Sequence, residues 1–170
     1  MRKLIFIALL TFPFVLSAQE PSQRERTDSF PDNLHLFYHH YGLNPDSAVT
    51  TQLYLTVFDW IGTRYLYAGK TKKGIDCSDF VSEMYRQVYC MEISGSSTTL
   101  FAECDTIPRA ELKEGDILFF KIKKGRVSHV AIYLGHNKFA HASVHGGVMI
   151  DDLDEPYYHK YFYRGGRIRK

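Results

Sequence analysis

The chain has 170 residues, 45% of them hydrophobic and 24% charged, with a formal net charge of +2. That is ordinary globular composition, enough for one domain around one core. It offers no strongly basic balance of the kind that nucleic acid as the main partner requires.

Arg2 and Lys3 precede an apolar run over residues 4–16, which closes on Ser17-Ala18. This is the pattern of a secretory signal peptide, with cleavage expected after Ala18. Thirteen residues, interrupted by Pro13, are too short for a comfortable membrane span. No cysteine follows the run to take a lipid, so the expected product is an exported soluble protein with no stable membrane anchor. Residues 1–18 carry two positive and no negative charges, so their removal leaves a formal charge of zero.

Residues 19–33 are polar, hold Pro21 and Pro31, and show no apolar period, which predicts a flexible leader. Leu34, Phe37, Tyr38 and Tyr41 recur at helical spacing and predict a short helix within the leader, taken as residues 19–45. His35, His39 and His40 fall there. No carboxylate or thiol joins them at ligand spacing, so they read as surface or interface histidines and not as a metal site.

The main domain is expected over residues 46–170. Asn44-Pro45-Asp46 starts its first helix, with Val49, Leu53, Val57 and Ile61 on one face and Gly62 at the end. Residues 65–74 form a loop carrying Lys70, Lys72 and Lys73.

The stretch Gly74-Ile75-Asp76-Cys77-Ser78-Asp79-Phe80 organises the rest of the domain. Phe80, Val81, Met84 and Val88 predict an amphipathic helix from Cys77 to about residue 90. Asp76 is a good N-cap, and Asp79 is placed to return the hydrogen bond as a shortened capping box. Cys77 then lies in the first turn, at the positive end of the helix dipole, which favours thiolate over thiol. A small buried residue at a helix start satisfies the same spacing, and a lone cysteine does not separate the two readings.

Ser94-Gly95-Ser96-Ser97 makes a turn and cap before a short helix over residues 98–104. After Glu114-Gly115-Asp116 the period changes to that of strands. These are expected over 117–122, 127–134, 138–144 and 148–151, then a short turn or helix at Glu155-Pro156, and a last strand over 161–168. Val130, Ile132 and Leu134 alternate with His129, Ala131 and Tyr133. Helices first and antiparallel strands second is the α+β pattern. Arg164, Arg167, Arg169 and Lys170 read as a solvated tail, with contact to an anionic surface as the alternative.

Three cysteines in an oxidising compartment leave one unpaired or pairing between chains. If Cys77 is the working thiol, Cys90 and Cys104 are the natural couple, and closing that loop would add about 3 kcal/mol. Two buried free thiols also suit the sequence.

A thiol nucleophile needs a base, and the base needs an orienting group. Cys77 at a helix start, His129 on a strand and His141 on the next strand offer all three in papain-like order. They share a face only if the hairpin pairs with the right register. A three-residue loop at Gly135-His136-Asn137 achieves this directly. A two-residue turn at His136-Asn137 needs a β-bulge to restore it.

At these residues the chain resembles the NlpC/P60 cysteine peptidases. The shared motifs are Asp-Cys-Ser at 76–78, Glu-Gly-Asp-Ile-Leu-Phe-Phe at 114–120, Ser-His-Val-Ala-Ile-Tyr-Leu-Gly at 128–135 and Phe-Ala-His-Ala-Ser at 139–143. Thr-Lys-Lys-Gly-Ile-Asp-Cys-Ser at 71–78 and Asp154-Glu155-Pro156-Tyr157 resemble the Spr (MepS) type of murein endopeptidase. The resemblance implies a papain-like α+β fold, with the nucleophile helix against a short antiparallel sheet. It implies a periplasmic peptidoglycan endopeptidase that cuts stem peptides through a thioester at Cys77, at D-alanyl–diaminopimelate crosslinks. His129 would be the base and His141 its orienting residue. Tyr65 and the N–H groups of Cys77 and Ser78 would bind the oxyanion. No metal or organic cofactor is implied.

Three departures stand out. Asp79 replaces the family's usual glycine and would oppose a lowered thiol pKa. Ala68-Gly69 stands where the family has two glycines, and the lipid-bearing cysteine typical of the Spr type is missing. The alternatives to the endopeptidase are cleavage at γ-D-glutamyl–diaminopimelate bonds, a wall-binding protein with weakened turnover, and a related acyltransferase or amidase.

Overall fold

The computed structural model describes residues 32–44, 47–123 and 125–169, all within the compact unit Pro31–Lys170. The expected signal peptide and residues 19–31 of the leader lie outside the described residues.

Helix α1 (Asp32–Tyr41) forms where the aromatic spacing predicts it. It is part of the core: Leu34 and Phe37 are buried, and the Phe37 ring meets Phe58 edge-on at 5.0 Å. Ser47, and not the Asn44-Pro45-Asp46 group, caps α2 (Ala48–Trp60), with its Oγ accepting the Thr50 N–H at 3.1 Å. Pro45 and Asp46 lie outside the described residues. The buried face of α2 is Leu53, Tyr54, Val57 and Trp60, while Val49 and Ile61 are exposed. The helix is turned toward its two large rings, whose burial removes the most apolar surface from water.

The expected loop at 65–74 contains a small hairpin, β1 (Lys70–Thr71) with β2 (Gly74–Ile75), and Tyr65 bridges to Ile75 beside it. Helix α3 (Cys77–Tyr89) buries Phe80, Val81, Met84 and Tyr85 and ends at Cys90 with φ +53. Helix α4 (Ser97–Ala102) is capped by Ser96 and is shorter than expected. Cys104 instead opens a strand that the periodicity did not predict, β3 (Cys104–Ile107). The Cys90–Cys104 pairing does not form and all three thiols are free. Cys90 is exposed at the end of α3, whereas Cys104 is turned into the core.

The remaining strands are β4 (Ile117–Phe120), β5 (His129–Gly135), β6 (Lys138–Ser143), β7 (Gly147–Asp152) and β8 (Phe162–Ile168), with α5 (Pro156–Tyr161) before the last. They form a six-stranded antiparallel sheet in the order β3-β8-β4-β5-β6-β7. The α+β expectation holds. The alternation predicted for β5 divides the core in two. Val130, Ile132 and Leu134 pack with Phe80, Val81 and Met84 of α3. Ala131 and Tyr133 join Leu118, Phe120 and Phe139 on the opposite face, against Tyr158 of α5.

The basic C-terminal residues are not simply a solvated tail. Arg167 forms a bidentate pair with the buried Asp116, two bonds of 2.8 Å, and Arg169 binds Asp105 at 3.0 Å. Strand pairing of β8 with β3 and β4 holds the chain at Arg167, and Arg169 follows directly after β8. No helix among the described residues is long and apolar enough to cross a membrane.

Candidate active site

Asp76 builds the start of α3. Its Oδ1 accepts the N–H groups of Ser78 and Asp79 and the Ser78 hydroxyl, each at 2.9 Å. Its Oδ2 accepts the Ala68 N–H at 3.0 Å. The cap is therefore one-sided. The Asp76 N–H donates to the Gly69 carbonyl, and the Asp79 carboxylate turns to Lys70 Nζ at 3.5 Å. The shortened capping box does not form, because the loop before α3 takes the donor that Asp79 would have met.

Cys77 faces a cleft of about 360 Å³, lined among others by Tyr65, Asp76, Ser78, Lys123 and Ser128. Its thiol is pushed up to about 11, above the ordinary value. Burial is the main cause, and the Asp76 carboxylate adds to it. The N–H groups of Val130, Ser78 and Cys77 itself pull the other way without winning. Burial thus opposes the expected pull of the helix start toward thiolate: helix-end amides act on the sulfur, but losing water raises its pKa more. The carboxylate that raises the thiol pKa is Asp76, while the Asp79 carboxylate lies 3.5 Å from Lys70 Nζ.

His129 is the first residue of β5, at the end of the sheet. Both its neighbours touch the thiol's surroundings: Ser128 lines the cleft, and the Val130 N–H acts on the Cys77 sulfur. The histidine pair forms as predicted, by the second route. His136 and Asn137, with φ +48 and +61, make a two-residue turn that pairs Gly135 with Lys138. A bulge between Tyr133 and Gly135 then restores the pairing Tyr133–Phe139 and Ile132–Ala140. His129 Nε2 lies 2.8 Å from His141 Nδ1, with the rings at 82°.

His141 is buried, and its Nε2 lies 2.8 Å from Asp151 Oδ2. The Tyr158 hydroxyl donates to the same oxygen at 2.5 Å. Sequence reading missed Asp151 and Tyr158. The pairing of Phe139 with Asp151 puts the carboxylate on the histidine face, two residues along β6 from His141. Burial of His129, and next the His141 imidazole, hold its pKa well below the usual histidine range, with Asp151 opposing. Burial works against the Asp151 carboxylate, yet bonds from His141 and Tyr158 together keep its pKa below the ordinary carboxylate value.

Tyr65 and Ser78 share the cleft with Cys77. The Tyr65 hydroxyl is held above its usual pKa by burial and next by Cys77. The Ser78 N–H, expected to face an oxyanion, is spent on Asp76. Among the described residues no group of three His, Cys, Asp or Glu side chains is placed to hold a metal ion.

Residues 62–167 match the sequence profile of the NlpC/P60 family. Among curated proteins, the chain is 40% identical over 111 residues to a murein DD-endopeptidase MepS/murein LD-carboxypeptidase of Escherichia coli K12, covering 65% of this chain and 58% of that protein. It thus spans little more than half of that relative. It is 37% identical over 139 residues to a probable endopeptidase NlpC homolog of Haemophilus influenzae, covering 81% of this chain and 74% of that one. Among solved structures, an NlpC/P60 family protein from Bacillus cereus superposes with a TM-score of 0.65 at 26% identity, over 74% of this chain and 42% of its own. The NlpC/p60 domain of the peptidoglycan hydrolase SagA does so with a TM-score of 0.61 at 27% identity, over 70% of this chain and 98% of its own. With its Asp-Cys-Ser helix start, its paired strand histidines and a profile match over most of its length, the chain belongs to the NlpC/P60 family.

Proposed function

We propose that the protein is a cysteine endopeptidase of peptidoglycan. It hydrolyses stem-peptide amide bonds, at D-alanyl–diaminopimelate crosslinks, after export to the periplasm. The observation that carries this reading is the 2.8 Å contact between His129 and His141 at the end of β5, whose next residue, Val130, reaches the Cys77 sulfur with its N–H. The relative from Escherichia coli, named a murein DD-endopeptidase, supports the substrate and bond.

Burial pushes the Cys77 thiol pKa up and the His129 pKa down, which favours general-base transfer over a standing thiolate–imidazolium pair. His129 takes the Cys77 proton as the sulfur attacks the substrate carbonyl. The negative charge that develops on the carbonyl oxygen meets the Cys77 N–H and the Tyr65 hydroxyl. His129 then returns its proton to the leaving amine, giving a thioester. The same base activates water to hydrolyse it.

Purified peptidoglycan is incubated with residues 19–170 and with the Cys77→Ala variant, and new fragments are identified by mass. The reading expects crosslinked dimers converted to monomers by the wild type alone. Fragment release by the alanine variant would sink the thiol mechanism. Cuts at γ-D-glutamyl–diaminopimelate bonds would reassign the bond.

A further inference from the structure

Beyond the two histidines, we infer that Asp151, held by Tyr158, is a positioning residue that selects the tautomers of His141 and His129 and offsets the positive charge formed when His129 takes the thiol proton. The inference rests on the proposed cysteine chemistry for its use, but its geometry stands alone.

An ionised carboxylate only accepts hydrogen bonds. Asp151 Oδ2 already takes the Tyr158 hydroxyl and lies 2.8 Å from His141 Nε2, so that nitrogen carries the hydrogen. A His141 ring with this one hydrogen has a bare Nδ1, which lies 2.8 Å from His129 Nε2. That nitrogen must donate, leaving the lone pair of His129 on Nδ1, free for the thiol proton. One carboxylate therefore sets both rings, two strands from its own position. Reversing His141 would turn an N–H toward His129 Nε2 and leave the base with its hydrogen on the wrong nitrogen.

The proton count closes. The Cys77 S–H bond breaks and a bond forms at His129 Nδ1, giving thiolate and imidazolium. No other proton leaves its atom. The new positive charge is shared along the bond to His141, and the Asp151 charge faces it through that ring. The titratable groups seen against the two imidazoles of β5 and β6 are Asp151 from β7 and Tyr158 from α5, and the proposed chemistry adds Cys77, whose sulfur takes the N–H of Val130, the residue after His129. β4 presents the uncharged Phe120 ring at 5.7 Å from His129.

Tyr158 explains a motif as well. Pro156 sits at the first turn of α5, and Asp154 ties the preceding turn to Arg109 and Asn137. Asp154-Glu155-Pro156-Tyr157 thus delivers the next residue, Tyr158, to the carboxylate. Its ring stacks edge-on against Phe139 at 4.9 Å and His141 at 5.5 Å, which fixes the hydroxyl.

Two readouts independent of peptidoglycan turnover test this. In the wild-type protein, nitrogen NMR of labelled histidines should show both His129 and His141 with hydrogen on Nε2. An Nδ1-protonated His141 overturns the inference even if no variant folds. Cys77 alkylation by iodoacetamide is then followed against pH for Asp151→Asn and Tyr158→Phe. At pH 7 the first should react at least about tenfold more slowly, because the thiolate–imidazolium form loses its counter-charge, and the second about two- to threefold more slowly. Wild-type tautomers and alkylation profiles in folded variants would overturn the proposal. Loss of fragment release by the wild type would fault the proposed function and leave these readouts unchanged.

Discussion

Ala68 holds a left-handed backbone at φ +55 while its N–H donates to Asp76 Oδ2 at 3.0 Å. The same carboxylate therefore holds the loop and caps α3. A side chain with Cβ in this region costs about 1–2 kcal/mol. Ala68→Gly should therefore stabilise the protein, by up to about 1 kcal/mol after the added freedom of the unfolded glycine is counted. Urea denaturation measures this, and a lower midpoint would contradict it. Gly69 allows no such exchange: a Cβ there would stand 2.5 Å from the Gly74 carbonyl oxygen.

Asp79 pairs with Lys70, and Asp76 is the carboxylate that raises the thiol pKa. Asp79→Gly should leave the pH dependence of Cys77 alkylation where it is. Asp76→Ala removes the cap that satisfies two helix N–H groups and should cost about 1–2 kcal/mol of stability. A lowered thiol pKa in the Asp79 variant would show that its carboxylate reaches the sulfur.

Arg167 supplies two hydrogen bonds to Asp116, whose other bond comes from the Lys113 N–H. Asp116 is buried, so Arg167→Ala leaves a carboxylate short of partners in the core. The expected cost is about 1–3 kcal/mol. Because the pair lies outside the cleft lining, fragment release per folded molecule should be unchanged.

Acid should destabilise the fold in two stages. The pKa of His129 is lower in the folded state, so below about pH 6.5 the unfolded chain binds more protons and stability falls with pH. Asp151 is also lowered, so its contribution persists above the unfolded value near 3.9 and is lost as pH falls through the folded one. Between about pH 6.5 and 4.5 His129 is the one of the two that acts, with a slope of at most about 1.4 kcal/mol per pH unit for its single proton. Urea midpoints at pH 7, 6 and 5 should decline less steeply for His129→Gln. Parallel slopes in the two proteins would count against a neutral, buried His129.

Local features of the chain were legible without coordinates. Phe80, Val81 and Met84 declare the α3 face, and Val130, Ile132 and Leu134 declare the inner face of β5, because each pattern is a period along one element. The motifs around Cys77, His129 and His141 named the family for the same reason: they are short stretches of adjacent residues. Ser47 as the true cap of α2 and the strand at Cys104 were misread. A capping serine next to Pro-Asp, and a cysteine between a helix and a strand, fit either neighbour locally.

Sequence by itself determined most of the elements, the buried faces of α3 and β5, and which residue types the chemistry has at hand. It also reduced the hairpin to two registers. Only the tertiary structure chose between them, since His136 and Asn137 both tolerate positive φ and the bulge before Gly135 is decided by how β5 and β6 pack. Only the structure joined Asp151 and Tyr158 to His141, through strand pairing and the docking of α5, and only burial set the Cys77 thiol pKa above its ordinary value. The helix dipole is written in the order of residues, but the water a sulfur loses depends on everything packed around it.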